Sequence, residues 1–238
     1  MAIIYGIADS ERNLLDKLPN EVKNVKDMDR VRKEFYGKMK NERRGRKGFL
    51  GTIVSEVKRY NYKRQVDKFQ YKKIGTLTTG TKGENKVIDE LSKIDDNYHV
   101  LCGVTLSLPY FVTYNGKKNL KSAQMDFVIV STKGVFMIEV KNYTDDFARG
   151  QKWSFSPYEQ TERAGRILWI SLQSVIKNVR VTNVLLSING NLPYNERYRS
   201  VYVSSLDKIN SFLEKRQDTM SEKEVQKVVK DLKGFVTT

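Results

Sequence analysis

Cysteine and histidine are almost absent: the 238 residues hold one of each, Cys102 and His99. A disulfide framework within the chain is therefore excluded, which fits a reducing, cytoplasmic setting. A structural zinc site lacks its usual ligands as well. Any Ser-His or Cys-His nucleophile would have to use His99. No apolar run reaches the roughly 18 residues of a membrane span, so none is expected. The opening MAIIYGIADSE is apolar but short and without a basic leader, so it does not read as a signal peptide. Whatever chemistry the chain performs must rest on carboxylates, lysines, hydroxyls and amides.

Acidic residues are also in deficit. Lys and Arg number 43 against 28 Asp and Glu, a net charge of +15. A solvated surface needs no such excess, so a polyanion is the first partner to consider, and nucleic acid and an anionic membrane both fit. A basic protein kept soluble by its lysines is the plainer reading. With 39% apolar residues the chain buries a core and is not disordered.

The charge is uneven. Residues 1–75 hold about 20 Lys and Arg and about 10 Asp and Glu, two-thirds of the net charge. DRVRKEFYGKMKNERRGRKG and SEVKRYNYKRQVDKFQYKK interleave basic residues with aromatics and read as helices broken near Gly45 and Gly48. That mixture suits phosphate contact with base stacking. Phe35, Tyr36, Tyr60, Tyr62 and Phe69 equally fit simple helix-to-helix packing.

GTLTTGTKGE is a Gly/Thr-rich stretch that reads as a break between a basic helical region, 1–75, and an α/β domain, 76–238. The domain reads as a helix over 84–94, a strand over 98–108, a YNGKKN turn, and strands 123–130 and 135–143 around STKG. A helix from Pro157 to about Lys177 follows. Short strands over 184–188 and 199–204 and helices over 205–215 and 222–232 complete it. This order predicts a mixed sheet flanked by helices.

MDFVIVSTKGVFMIEVKNY, residues 125–143, is a core-like hairpin carrying three charges. With the turn centred on Thr132-Lys133, Val130 pairs with Val135 and Asp126 falls opposite Glu139. Alternation puts Lys141 on that face with Val128 and Val130, while Phe127, Ile129, Phe136, Ile138 and Val140 cover the other. Opposite carboxylates about 5 Å apart at Cβ repel, which raises a pKa or recruits a cation. Oxygen ligation by one or two carboxylates, completed by water and phosphate, suits Mg²⁺ and phosphodiester hydrolysis, with the lysine orienting water or stabilising negative charge. An exposed cross-strand ion pair at a strand end is the alternative. Glu84 shares the apolar helix face of Val87 and Ile88; it is either a third acid of this cluster or a residue complementing the helix dipole.

Asp126, twelve intervening residues and Glu139-Val140-Lys141 resemble the D…ExK signature of the PD-(D/E)XK nuclease superfamily. KGE at 82–84, the hairpin and WSFSPYEQ at 153–160 resemble, more narrowly, the nuclease-related domain NERD. The resemblance covers roughly residues 78–205 and says nothing about 1–75. It implies a restriction-endonuclease-like α/β fold and DNA cleavage with Mg²⁺ or Mn²⁺. Asp126, Glu139 and Glu84 become metal ligands, Lys141 the catalytic lysine, and Gln160 a polar residue turned toward the site. Phe127 stands where the family places a polar residue, and Thr144, Asp145 and Asp146 where it has small ones. The expected partner is DNA, of unspecified strandedness, with no membrane and with a homo-oligomer left open. The rival expectation is a nucleic-acid-binding or interaction module on the same fold; a membrane-surface protein is a more distant one.

Overall fold

The structure, a computed structural model, describes residues 1–44, 48–69, 72–142, 156–190 and 192–238. Tyr143, the acids at 145 and 146 and Trp153 lie outside the described residues. Two compact units are present: Ser10–Thr81, and Met1–Asp9 together with Lys82–Thr238. The reading of 1–75 as one helical region thus differs at its start. Ile3–Tyr5 forms strand β1, which pairs parallel with the first long strand of the second unit.

The helical unit contains α1 (Asp9–Leu15), α2 (Met28–Arg44), α3 (Gly48–Lys68) and the first half of α4 (Lys72–Leu91). Leu14, Leu18, Val22, Val31 and Phe35 form its core, with Tyr62, Val66 and Phe69 packed on them. The aromatics of the basic helices therefore divide. Phe35, Tyr62 and Phe69 pack the helices together, while Tyr36 and Tyr60 are exposed.

The division between the two units falls inside GTLTTGTKGE, between Thr81 and Lys82, but the stretch is helical. α4 runs through it without interruption. Thr and Gly are poor helix formers in isolation, but packing overrides propensity where small residues are required. Thr81 is fully buried. A Cβ on Gly83 would come within 2.7 Å of the Ile188 side chain and close to Asn142.

The α/β unit is a six-stranded mixed sheet in the order β1 to β6. β2 (His99–Tyr114), β3 (Lys117–Ser131) and β4 (Gly134–Lys141) form an antiparallel meander; β5 (Val181–Ser187) and β6 (Val201–Ser205) add in parallel. β2 and β3 are longer than the sequence suggested. Only Asn115 and Gly116 turn between them, both at positive φ, as a two-residue hairpin requires. α5 (Pro157–Leu172) and α7 (Glu222–Leu232) bury Ile167, Leu168, Val225 and Val228 on one face of the sheet. α4 and α6 (Ile209–Glu214) bury Val87, Leu91, Ile209 and Leu213 on the other.

The hairpin faces are those read from the sequence. Val128, Val130, Val135 and Met137 lie in the first core, and Phe127, Ile129, Phe136 and Ile138 in the second. β2 departs from simple alternation at Gly103: Leu101, Val104 and Leu106 all face the first core. Gly103 has φ +62°, and a Cβ there would sit 2.5 Å from Thr237 Oγ1 and 2.6 Å from Asp9 Oδ1. Both the left-handed backbone and the close approach demand glycine. Gly103→Ala is expected to destabilise the chain by about 1–3 kcal/mol, read as a lower urea midpoint. An unchanged midpoint would show that the strand relaxes at no cost.

Candidate active site

Val130 pairs with Val135, and Ser131 with Gly134. The ladder continues to Phe127–Ile138 and then stops. Asp126 and Glu139 are the next two residues of that register, at the fork where β3 leaves β4. At this fork the Asp126 side chain takes over as acceptor: the Val140 N–H donates to its Oδ2 at 2.7 Å. On the other side, the pairs Cys102–Phe127 and Val104–Met125 flank Gly103 and Asp126. The kink at Gly103 therefore falls opposite Asp126, where a break in alternation re-aims a side chain.

Glu139 is 3% exposed. Lys141 Nζ donates to its Oε1 at 2.5 Å. Two residues apart on one strand, both side chains leave on the same face. The cluster is strongly perturbed. Burial pushes the Asp126 carboxyl up, and the Glu139 charge adds to the rise; the Val140 N–H and the Lys141 ammonium oppose it, and the Asp9 charge adds a smaller push upward. Burial raises Glu139 too, against the pull of the Lys141 charge and hydrogen bond, with the Glu84 charge pushing upward. A buried acid, Glu139, and a half-buried one, Asp126, thus share one nearby ammonium.

Glu84 is buried on α4, and its charge acts on Glu139. It stands as a neighbouring acid rather than a member of a tight trio. Among the described residues no group of three or more His, Cys, Asp or Glu side chains is arranged to hold a metal ion. Gln160 lies in the first turn of α5 and is half-buried. Among the described residues no side-chain hydrogen bond links it to the acidic pair. Asn142 and Asn189 tie the ends of β4 and β5 together, with Nδ2 of Asn189 donating to Oδ1 of Asn142 at 2.5 Å.

Asp9 escaped the sequence reading. It accepts hydrogen bonds from Gln124 and from Thr237, whose hydroxyl also bonds the Gly103 carbonyl. Its charge reaches Asp126 because β1 pairs with β2, a pairing no local pattern announces. Gly103 did carry a signal, as a glycine inside a strand.

Nucleophilic alternatives fail on geometry. Cys102 is fully buried, and burial, with the Glu84 and Asp9 charges, pushes its thiol up to about 12. That is an inert core sulfur. His99 bonds the Tyr5 hydroxyl at 2.9 Å and pairs with Val130, at the far end of the hairpin from the acids.

The donor set fits a divalent cation. Two oxygen-bearing acids, crowded and short of positive charge, supply the one or two carboxylates that Mg²⁺ takes from a protein. No helix among the described residues is long and apolar enough to cross a membrane. The family model for the nuclease-related domain, NERD, matches residues 79–188, from mid-α4 to the end of β5. Asp126, Glu139, Lys141, Glu84 and Gln160 all fall inside that match. No curated protein and no solved structure matches the chain.

Proposed function

We propose that the chain, with its nuclease-related domain over residues 79–188, is a divalent-metal-dependent deoxyribonuclease on a restriction-endonuclease-like fold. One observation carries the reading: Asp126, half-buried, and Glu139, buried, stand together at the end of a ladder, both raised in pKa, with Lys141 on Glu139. Pairs of this kind are poor for stability and are found where chemistry needs them.

Asp126 and Glu139 would hold Mg²⁺ or Mn²⁺, with Glu84 as a supporting charge. The bound ion supplies Lewis-acid charge for phosphodiester hydrolysis and a lowered pKa for water. The chain does the rest. The Val140 N–H fixes one oxygen of Asp126. Lys141 has three donors, so it can keep Glu139 oriented while presenting a proton to a phosphate oxygen or an attacking water. Gln160, on the first turn of α5, would add a polar group on the substrate side. The basic surface of the chain would draw DNA to the fork.

The test is plasmid DNA with Mg²⁺, with EDTA, and with Lys141→Ala. Cutting should vanish in EDTA and fall about 10²- to 10³-fold in the variant, the usual loss for one charge-stabilising donor. Equal cutting under all three conditions would end the reading. A binding module on the same fold is the second reading. The 2.5 Å contact of Lys141 with Glu139 favours it, because the ammonium already compensates that carboxylate. It requires salt-sensitive DNA binding with no cleavage in Mg²⁺ or Mn²⁺.

A further inference from the structure

We propose that the β6 edge of the α/β unit carries a track for single-stranded nucleic acid, leading from the β3–β4 turn to the C-terminal ends of β4 and β5. It rests on the nuclease reading for the identity of the polymer; the surface itself is independent of the acids.

Three shallow depressions of about 280, 540 and 110 Å³ lie in series and share their walls. Lys215 and Arg216 line the first together with Lys133 and Arg180, and they line the second together with Tyr202 and Lys208. Tyr202 and Lys208 continue into the third, which reaches Ser187. Ser187 is the strand partner of Lys141, so the series ends beside the acidic fork. β4 gives the scale: its 8 residues span about 25 Å.

The walls are basic. Five of the lining side chains are cationic, and Asp207 is the one lining carboxylate. Asp218 neutralises Lys133 at 3.1 Å, but Arg180, Lys208, Lys215 and Arg216 make no ion pair among the described residues. Cations left to crowd one another are stabilised by a polyanion.

The track also carries an aromatic platform. Tyr202 is 44% exposed and stacks on Phe212 with ring centroids 3.9 Å apart. The Arg216 guanidinium lies 4.1 Å from the Phe212 centroid. A half-open ring beside a row of cations suits an unpaired base on its face with the phosphates alongside. A duplex keeps its bases out of reach of such a ring, so the occupant is a single strand.

The experiment is fluorescence anisotropy of the full chain with a labelled DNA strand of about 20 nucleotides, and with its duplex, in EDTA so that nothing is cut. Lys215→Ala/Arg216→Ala should weaken single-strand binding at least tenfold and lower the salt slope by about 1.4. Lys208→Ala/Lys215→Ala alters two exposed side chains and should do the same if loss of Arg216 disturbs folding. Tyr202→Ala should cost about tenfold on the single strand and little on the duplex. Lys117→Ala/Lys118→Ala, at the β2–β3 turn, removes equal charge elsewhere and should cost less than threefold. Equal losses in the control and the track variants would overturn the proposal. So would a Tyr202→Ala effect as large on the duplex as on the single strand. Plasmid cutting in Mg²⁺ separates the two claims: no cutting with specific loss in the track variants ends the nuclease reading alone, and cutting without that loss ends the track alone.

Discussion

Glu139→Gln should reduce Mg²⁺-dependent DNA cutting by about 10³-fold or more while leaving DNA affinity within about twofold. Gln keeps the size of Glu and still accepts the Lys141 hydrogen bond, so the 2.5 Å contact and the packing around it survive. What it removes is the negative charge on a side chain that is 3% exposed. Asp126 and Glu139 set two carboxylates beside the one Lys141 ammonium, and the negative charge in excess of that ammonium is what a cation at the fork would use. The control is Glu84→Gln. Glu84 acts on Glu139 through its field and belongs to no three-acid cluster, so its loss should cost about tenfold. Single-turnover cutting of a labelled substrate measures both, with anisotropy in EDTA reporting affinity. Equal small losses in the two variants would place the metal elsewhere or remove it. A large loss of affinity in Glu139→Gln would mean that the fold, and not the chemistry, had been damaged.

The hairpin was legible because its signals are local and agree. A four-residue polar turn between two alternating runs permits one register that buries both faces, and a slip of one residue would put Phe127 and Ile138 with the acids. The resemblance to NERD rested on the same residues, and the family match covers them. Three features were not legible, each because its cause lies far away in sequence. α4 persists through GTLTTGTKGE because Thr81 and Gly83 are held in packed surroundings, which propensity does not register. The ladder ends one pair before Asp126 because the side chain itself takes the Val140 N–H, beside a kink that Gly103 makes possible. Asp9 and Thr237, from the two ends of the chain, close over that kink.

In EDTA at pH 8, Asp126→Asn should melt about 2–4 °C above the wild type, and Mg²⁺ should reverse the order. The sign follows from the direction of the shift. Burial, the Glu139 charge and the Asp9 charge raise the folded-state pKa of Asp126 above its ordinary value of 3.8. Between that value and the raised one, the folded chain holds more protons than the unfolded chain, so stability falls as pH rises through the window. Below the ordinary carboxylate range both states are protonated and the contribution is fully present. Asn is neutral at every pH and still accepts from the Val140 N–H. It therefore spares the cost at pH 8, and the two proteins should converge near pH 4. Mg²⁺ at about 100 times its Kd adds about 2.7 kcal/mol to a chain that binds it, roughly 5–10 °C for a domain of this size. The wild type should gain that much and Asp126→Asn almost nothing, because a neutral amide at the fork leaves Glu139 and the Lys141 ammonium already balanced. Thermal melts at pH 4, 6 and 8 with and without Mg²⁺ read the whole pattern without any assay of cutting. An Asn variant that melts lower at pH 8 would show that the Asp126 charge is stabilising in the metal-free protein. A wild type indifferent to Mg²⁺ and Mn²⁺ would remove the cation from this fork and leave Lys141 as its permanent counter-charge.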